Sequence, residues 1–250
     1  MWVTVLGGCG AWPEAGRACS GFVVEHDGFH LVVDLGYATV PRLLERMPAA
    51  EVDAVFISHG HPDHCADLNP LLRARVLGGA AAGPLPVYAP AGALDAVLAL
   101  EPRPMLEGSF ERHDFRPGEE LRIGPFAAPT WLLPHWVPNA GVRLTVDGRS
   151  VAYTGDSGPS PDVVEMARDA DLLIAEATYP DEVPEDSRRY LSSAQQAGRQ
   201  AAAAEVRQLL LTHLWPGTDR GAAVAAACAG YGGPVAAATP GLIIDLYDVW

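Results

Sequence analysis

The chain is most constrained by six residues that follow an apolar run. Val52-Asp53-Ala54-Val55-Phe56-Ile57-Ser58 reads as a buried strand, and it ends directly in His59-Gly60-His61-Pro62-Asp63-His64. Three imidazoles and a carboxylate at a strand end form a nitrogen and oxygen donor set suited to borderline divalent metals. The strand fixes the first donor and the turn fans out the others. Gly60 leaves room beside a metal, and Pro62 stiffens the turn while pushing His61 towards an extended backbone. The competing reading is a polar surface turn with chance histidines.

Three more donors repeat this placement. His135 follows Trp131-Leu132-Leu133-Pro134, Asp156 follows Val151-Ala152-Tyr153-Thr154, and His213 follows Leu209-Leu210-Leu211-Thr212. Each stands where an apolar run stops, and strands of a sandwich present side chains at such a rim. His26, His30 and His113 lack this context and read as ordinary surface histidines.

The rest of the chain reads as mixed α/β over 1–250, one domain with no linker. Strands are expected at Trp2–Leu6, Gly21–Glu25, Phe29–Val33, Leu85–Ala89, Phe110–Phe115, Glu119–Ile123, Gly141–Val146, Ser150–Thr154, Leu172–Glu176, Val206–Thr212, Val235–Ala238 and Leu242–Leu246. Helices are expected at Pro41–Met47, Cys65–Arg75, Ala91–Leu100, after Ser160-Pro161, after Ser192 or Ser193, and over Thr218–Ala229. Asp27-Gly28 and Asp147-Gly148 are hairpin turns. Each is followed by a strand ending in an aspartate beside glycine, Asp34 and Asp156, which suggests an internal duplication.

A formal charge of -14 argues against an extended nucleic-acid surface. All 17 basic residues are arginine, from which no mechanism is drawn. Cys9, Cys19, Cys65 and Cys228 show no C-x-x-C spacing and read as free thiols of a cytoplasmic protein, with a Cys9–Cys19 bridge the less favoured option. The first residues lack a basic n-region, and no apolar run reaches membrane-spanning length.

The order His59-x-His61-x-Asp63-His64, His135, Asp156, His213, together with Asp34-Leu35-Gly36, Gly155-Asp156-Ser157 and Ala175-Glu176-Ala177-Thr178, resembles the metallo-β-lactamase-fold hydrolases. The branch it resembles most is the RNase Z and phosphodiesterase-like one. The resemblance implies a four-layer αββα sandwich with two divalent metals at its rim, usually Zn2+, with Mn2+ or Fe as alternatives. By carry-over, His59, His61 and His135 hold one ion, Asp63, His64 and His213 the other, Asp156 bridges them, and Asp34 orients a ligand histidine. Such a pair lowers the pKa of a shared water towards about 7 and supplies a bridging hydroxide nucleophile.

Asp63, Asp156, Glu176 and Tyr190 are the expected catalytic residues. Two departures stand out: Ala175 replaces the first histidine of the family's His-Glu-Ala-Thr segment, and Tyr190 takes the place of a later histidine. Tyrosine donates a hydrogen bond but does not shuttle protons near neutral pH; a buried structural Glu176–Tyr190 pair is the competing reading. No long tRNA-gripping arm is evident between Ser157 and Leu191. The expected activity is therefore hydrolysis of a small phosphodiester or ester. A lactonase, or a metal-binding protein with weakened turnover, is the alternative; tRNA 3′-processing and true β-lactamase action are disfavoured. The expected partner is a small-molecule substrate, with no membrane, and a homodimer is left open. Trp12, Trp136 and Trp215 could wall the pocket, and Arg143, Arg188 and Arg189 are candidate anion contacts against a solvated-surface reading.

Overall fold

The computed structural model describes residues 1–79 and 82–248. In chain order the strands are β1 (Trp2–Gly7), β2 (Gly21–His26), β3 (Phe29–Leu35), β4 (Ala54–Phe56), β5 (Leu85–Pro90), β6 (Phe110–Phe115), β7 (Glu120–Ile123), β8 (Phe126–Leu133), β9 (Asn139–Val146), β10 (Arg149–Tyr153), β11 (Leu172–Glu176), β12 (Leu209–Thr212), β13 (Val235–Ala237) and β14 (Ile243–Asp245). The helices are α1 (Thr39–Leu44), α2 (Pro62–Cys65), α3 (Leu68–Leu77), α4 (Asp95–Leu98), α5 (Arg103–Leu106), α6 (Pro161–Ala167), α7 (Ala194–Ala203) and α8 (Arg220–Cys228).

The strands form two seven-stranded mixed sheets, β14-β1-β2-β3-β4-β5-β6 and β7-β8-β9-β10-β11-β12-β13. In each, an antiparallel set ends at a hairpin, β2–β3 or β9–β10, and parallel strands continue from there. The repeated topology is the duplication suggested by the two Asp-Gly turns. Both turns place their aspartate at positive φ, 49° for Asp27 and 48° for Asp147, as a two-residue hairpin turn requires.

Three apolar clusters define the four layers. Phe22, Phe56, Phe126, Tyr153 and Ile174 belong to the core between the sheets. Leu43, Leu68, Leu71 and Leu72 pack α1 and α3 on the outer face of the first sheet. Val163, Met166, Ala197, Ala201 and Ala223 pack α6, α7 and α8 on the second. A strand covered on both faces reads as a continuous apolar run, which is why Leu172–Ala175 and Leu209–Leu211 have no polar alternation. α7 opens with the Ser193–Gln196 capping box, and α6 with Ser160 as N-cap before Pro161.

Some expected elements differ. The helix expected over Cys65–Arg75 is split into α2 and α3, because Asp67 turns inward and accepts the Val40 N–H at 2.8 Å while its own N–H binds Leu35 O at 2.9 Å. The helix expected over Ala91–Leu100 shrinks to α4, flanked by turns. β8 was legible only at its apolar end, since Ala127, Ala128 and Pro129 break the strand pattern in its first half. α5 was not anticipated.

Gly36 seats α2 against the sheet. A Cβ there would collide with the carbonyl oxygen of Asp63 and come within 2.8 Å of Cys19 Cβ. Gly36→Ala is expected to cost about 2 kcal/mol of stability, the scale of overpacking a tight core, and to displace α2 with Asp63 and His64. Chemical denaturation of the metal-free variant checks this; an unchanged midpoint would remove Gly36 from the argument.

Candidate metal centre

The donors converge at one rim of the sandwich, beyond the C-terminal ends of the parallel strands, where open α/β sheets bind their ligands. His59 lies past β4, Asp156 past β10, His213 directly after β12, and Asp63 and His64 on α2. His135 follows β8. Side-chain donor atoms of His59, His61, His135 and Asp156 lie within 4.8 Å of one another, as do those of Asp63, His64, Asp156 and His213. Asp156 belongs to both groups.

Hydrogen bonds on the far ring nitrogens determine which nitrogen faces inward. His135 Nδ1 is 3.0 Å from the Tyr190 carbonyl, which only accepts, so Nδ1 carries the proton and Nε2 a bare lone pair. His64 Nδ1 donates to Asp34 Oδ2 at 2.7 Å. Ser58 Oγ donates to Asp34 Oδ2 at 2.7 Å and accepts from His59 Nδ1 at 3.0 Å. Thr178 Oγ1 donates to Glu176 Oε1 at 2.6 Å and accepts from His213 Nδ1 at 2.9 Å. In all four histidines Nε2 is therefore left to face the centre.

Several of the resulting contacts make poor hydrogen bonds, and all of them suit ligand sets. His59 Nε2 and His135 Nε2 approach His61 Nδ1 at 3.1 and 3.0 Å, two lone pairs on one nitrogen. His64 Nε2 and Asp156 Oδ1 lie 3.0 Å apart, yet neither has a hydrogen-bond partner among the described residues. His213 Nε2 is 3.1 Å from both Asp63 Oδ2 and Asp156 Oδ2. Buried polar atoms left without partners are costly, and a divalent cation in each group would satisfy them. The residues present fit two such ions.

Electrostatics follow the same division. Burial, helped by neighbouring imidazoles, outweighs the opposing pull of Asp156 and lowers His59, His61 and His135, favouring the neutral form that ligates a metal. For His64 and His213 burial acts downward, but Asp156 and Asp63 outweigh it and raise both. Burial would raise Asp63 and Asp156, yet His64 and His213 hold both carboxyls well below the usual range. Burial and then Asp156 push Glu176 up to about 8; a cation beside His213 would act the opposite way.

Asp34 is the hub behind the site. It is fully buried, adopts φ 58°, and accepts from Ser58 N at 2.7 Å, Ser58 Oγ, His64 Nδ1 and the Tyr153 hydroxyl at 2.6 Å. Asn139 does similar work behind Asp156, donating to the carbonyls of Thr154 and Asp156 at 2.9 and 2.6 Å. Ser58, Thr178, Tyr153 and Asn139 were missed at the sequence level. Ser58 and Thr178 could have been found from their places beside His59 and Glu176.

Not every expected residue joins the centre. Glu176 accepts from Ser157 N, Thr178 Oγ1 and Ser192 N; it makes no bond to the Tyr190 hydroxyl. Tyr190 gives its carbonyl to His135 and packs its ring against Trp136 at 5.1 Å. His26 is a correction: far from being a surface residue it is 5% exposed, with Nε2 3.1 Å from Asp147 Oδ2 and 3.6 Å from Asp27 Oδ2. The two hairpin turns meet there and enclose it. His30 and His113 are half-buried, His113 stacked on Tyr88. Arg143 binds the carbonyls of Met166 and Arg168, a structural task. Arg188 and Arg189 are exposed, with Arg189 over the Tyr190 ring. Cys9 and Cys19 are free thiols.

A cavity of about 340 Å³ opens over the donors, walled by Ala11, Pro62, Trp136, Tyr179, Leu191 and Trp215. Trp12 packs edge-on against Trp215 at 5.0 Å, and Tyr179 stacks on it at 6.0 Å. No helix among the described residues is long and apolar enough to cross a membrane.

Comparison with known proteins agrees with this geometry. A family model described as a β-lactamase superfamily domain matches residues 14–214. The probable metallo-hydrolase YhfI of Bacillus subtilis is 34% identical over 217 residues, covering 86% of this chain and 87% of that protein. Its crystal structure, described as a metallo-β-lactamase fold protein, superposes with a TM-score of 0.88 at 30% identity, covering 97% of this chain and 98% of that one. The short form of human tRNase Z superposes with a TM-score of 0.81 at 26% identity, covering 98% and 99%. Two sheets between helix layers, a donor rim at their strand ends and these likenesses have one reading: the chain belongs to the β-lactamase superfamily and has the metallo-β-lactamase fold of its metal-dependent hydrolases.

Proposed function

We propose that the chain, acting as one domain over 1–250, is a dinuclear hydrolase of a small phosphodiester or related ester. The observation that carries the reading is the set of four histidines whose Nδ1 protons are committed outward, leaving Nε2 atoms convergent on Asp63 and Asp156. His59, His61 and His135 would hold one ion, Asp63, His64 and His213 the other, and Asp156 would touch both. The nitrogen-rich donor set favours Zn2+, with Mn2+ or Fe as alternatives. When bound, the ions supply Lewis acidity that activates water and offsets charge on a phosphoryl oxygen.

The chain's own residues then orient the reaction. The Ala11 N–H donates to Asp63 Oδ2 at 2.8 Å and limits that carboxylate's rotation. Trp136, Tyr179 and Trp215 give the cavity aromatic walls beside the donors. No arginine or lysine lines this cavity among the described residues, so it offers nothing beyond the ions to neutralise a second phosphate. Residues 157–191 hold only α6, β11 and a loop, with no extended arm, and the -14 charge opposes a polynucleotide. Small substrates are favoured on both counts.

Protein purified without chelator is expected to contain close to two divalent ions per chain and to turn over bis(p-nitrophenyl) phosphate faster than aryl lactones. A preference for lactones would move the assignment to the carboxylic-ester reading on the same site. Two bound ions with no turnover of either class would favour a binding role. Metal affinity should weaken as pH falls, because His64 and His213 hold protons above the usual imidazole range and must release them to bind.

A further inference from the structure

Three donors from the protein hold the Glu176 carboxylate. Oε1 accepts from Thr178 Oγ1 at 2.6 Å and from the Ser192 N–H at 3.1 Å, and Oε2 accepts from the Ser157 N–H. The residue is 1% exposed and does not line the cavity over the donors. Three inward donors and this burial turn its oxygens towards the protein rather than towards the cavity. What it does reach is Thr178, whose hydroxyl gives its single proton to Glu176 and so presents a lone pair to His213 Nδ1 at 2.9 Å.

The first sheet contains the matching arrangement. Asp34 Oδ2 accepts from Ser58 Oγ at 2.7 Å, and the Ser58 lone pair faces His59 Nδ1 at 3.0 Å. Ser58 lies just past β4 and Thr178 just past β11, strands that hold the same place in the two sheets. Each donor group thus has one histidine held by a carboxylate acting through a hydroxyl.

We propose that Thr178 is a positioning residue for the donor group of Asp63, His64 and His213. Through it, Glu176 fixes the His213 tautomer and ring orientation instead of exchanging protons with substrate. The inference rests on the reading of both donor groups as metal sites. A hydroxyl in this role cannot be replaced by an isosteric methyl. Thr178→Val keeps shape and β-branching but removes the acceptor, so His213 Nδ1–H is left buried without a partner.

The test is metal binding to chelator-stripped and reloaded protein, followed by titration and by the absorption spectrum of the Co2+ form. Wild type should bind two ions. Thr178→Val should bind one of the two about 10- to 100-fold more weakly, the scale for losing a ligand's outer partner, with a Co2+ spectrum altered for one ion alone. Thr178→Ser should recover both. In the Zn2+-loaded protein the His213 Nδ1 proton should give a slowly exchanging downfield NMR signal, kept in Thr178→Ser and lost in Thr178→Val. Equal affinity for both ions in Thr178→Val, or failure of Thr178→Ser to recover, overturns the relay. Should Thr178→Val not fold, Thr178→Ser and the wild-type proton signal decide, and a rapidly exchanging His213 proton in wild type overturns it. Fewer than two ions on wild type overturns the dinuclear reading itself, and the relay with it.

Discussion

Asp156→Ala is expected to lower hydrolysis of an aryl phosphodiester by about 10³-fold or more and to bring metal content below two ions per chain. The magnitude follows from the several kcal/mol of transition-state stabilisation that bound metals supply, at about 1.4 kcal/mol per factor of ten. Asp156 is the residue common to both donor groups, so its loss would affect an ion in either group. It lies 2% exposed, with Oδ1 3.0 Å from His64 Nε2 and Oδ2 3.1 Å from His213 Nε2. Its backbone is held independently by Asn139, so the loop should keep its course when the side chain is cut. Circular dichroism and unfolding of the variant separate a lost ligand from a lost fold. Near-normal turnover with two bound ions would rule out the shared-carboxylate role.

Asp34→Ala should have the largest effect on stability. The substitution strips the acceptor from four buried donors at once: Ser58 N, Ser58 Oγ, His64 Nδ1 and Tyr153 Oη. An orphaned buried donor costs about 1–3 kcal/mol, and two or three such losses equal a large part of the stability of an ordinary domain. A further cost arises from the backbone, since φ 58° at this position is tolerated by aspartate and strained for alanine. Metal-free Asp34→Ala is therefore expected to lose at least about 4 kcal/mol in chemical denaturation. Any folded fraction should bind both ions more weakly, because the hub orients His64 directly and His59 through Ser58. A change below about 1 kcal/mol would mean that water replaces the carboxylate, contrary to its full burial.

The donor set was legible in the sequence because of a geometric regularity. A buried strand is apolar along its whole length, so the first charged or imidazole residue after it stands at the sheet's edge, as at His59, Asp156 and His213. Those positions can be read without knowing how the strands are ordered. The residues behind them cannot. Ser58, Thr178 and Tyr153 belong to types that fill strands and strand ends everywhere, and only pairing across the sandwich gives them partners. Tyr153 meets Asp34 across 119 positions of sequence. The error at His26 has the same origin: the last residue of β2 looked solvent-facing until a turn from the second sheet closed over it. Tyr190 shows the converse case: the residue reaches the centre, but through its carbonyl to His135, while its side chain turns to Trp136.

The separations between partners at the rim have a kinetic meaning. His135 meets His61 across 74 residues, and His213 meets Asp63 across 150. Loops of that span must close before either donor group is complete, and contacts of such range slow the folding of β-rich chains. Only residues 59–64 are together from the moment they are synthesised. A nascent chain would thus carry a weak, local metal-binding turn long before the second sheet exists. Full affinity would arrive only once β12 has brought His213 to the rim, so that a tightly held pair of ions would mark a molecule whose two halves have already found each other.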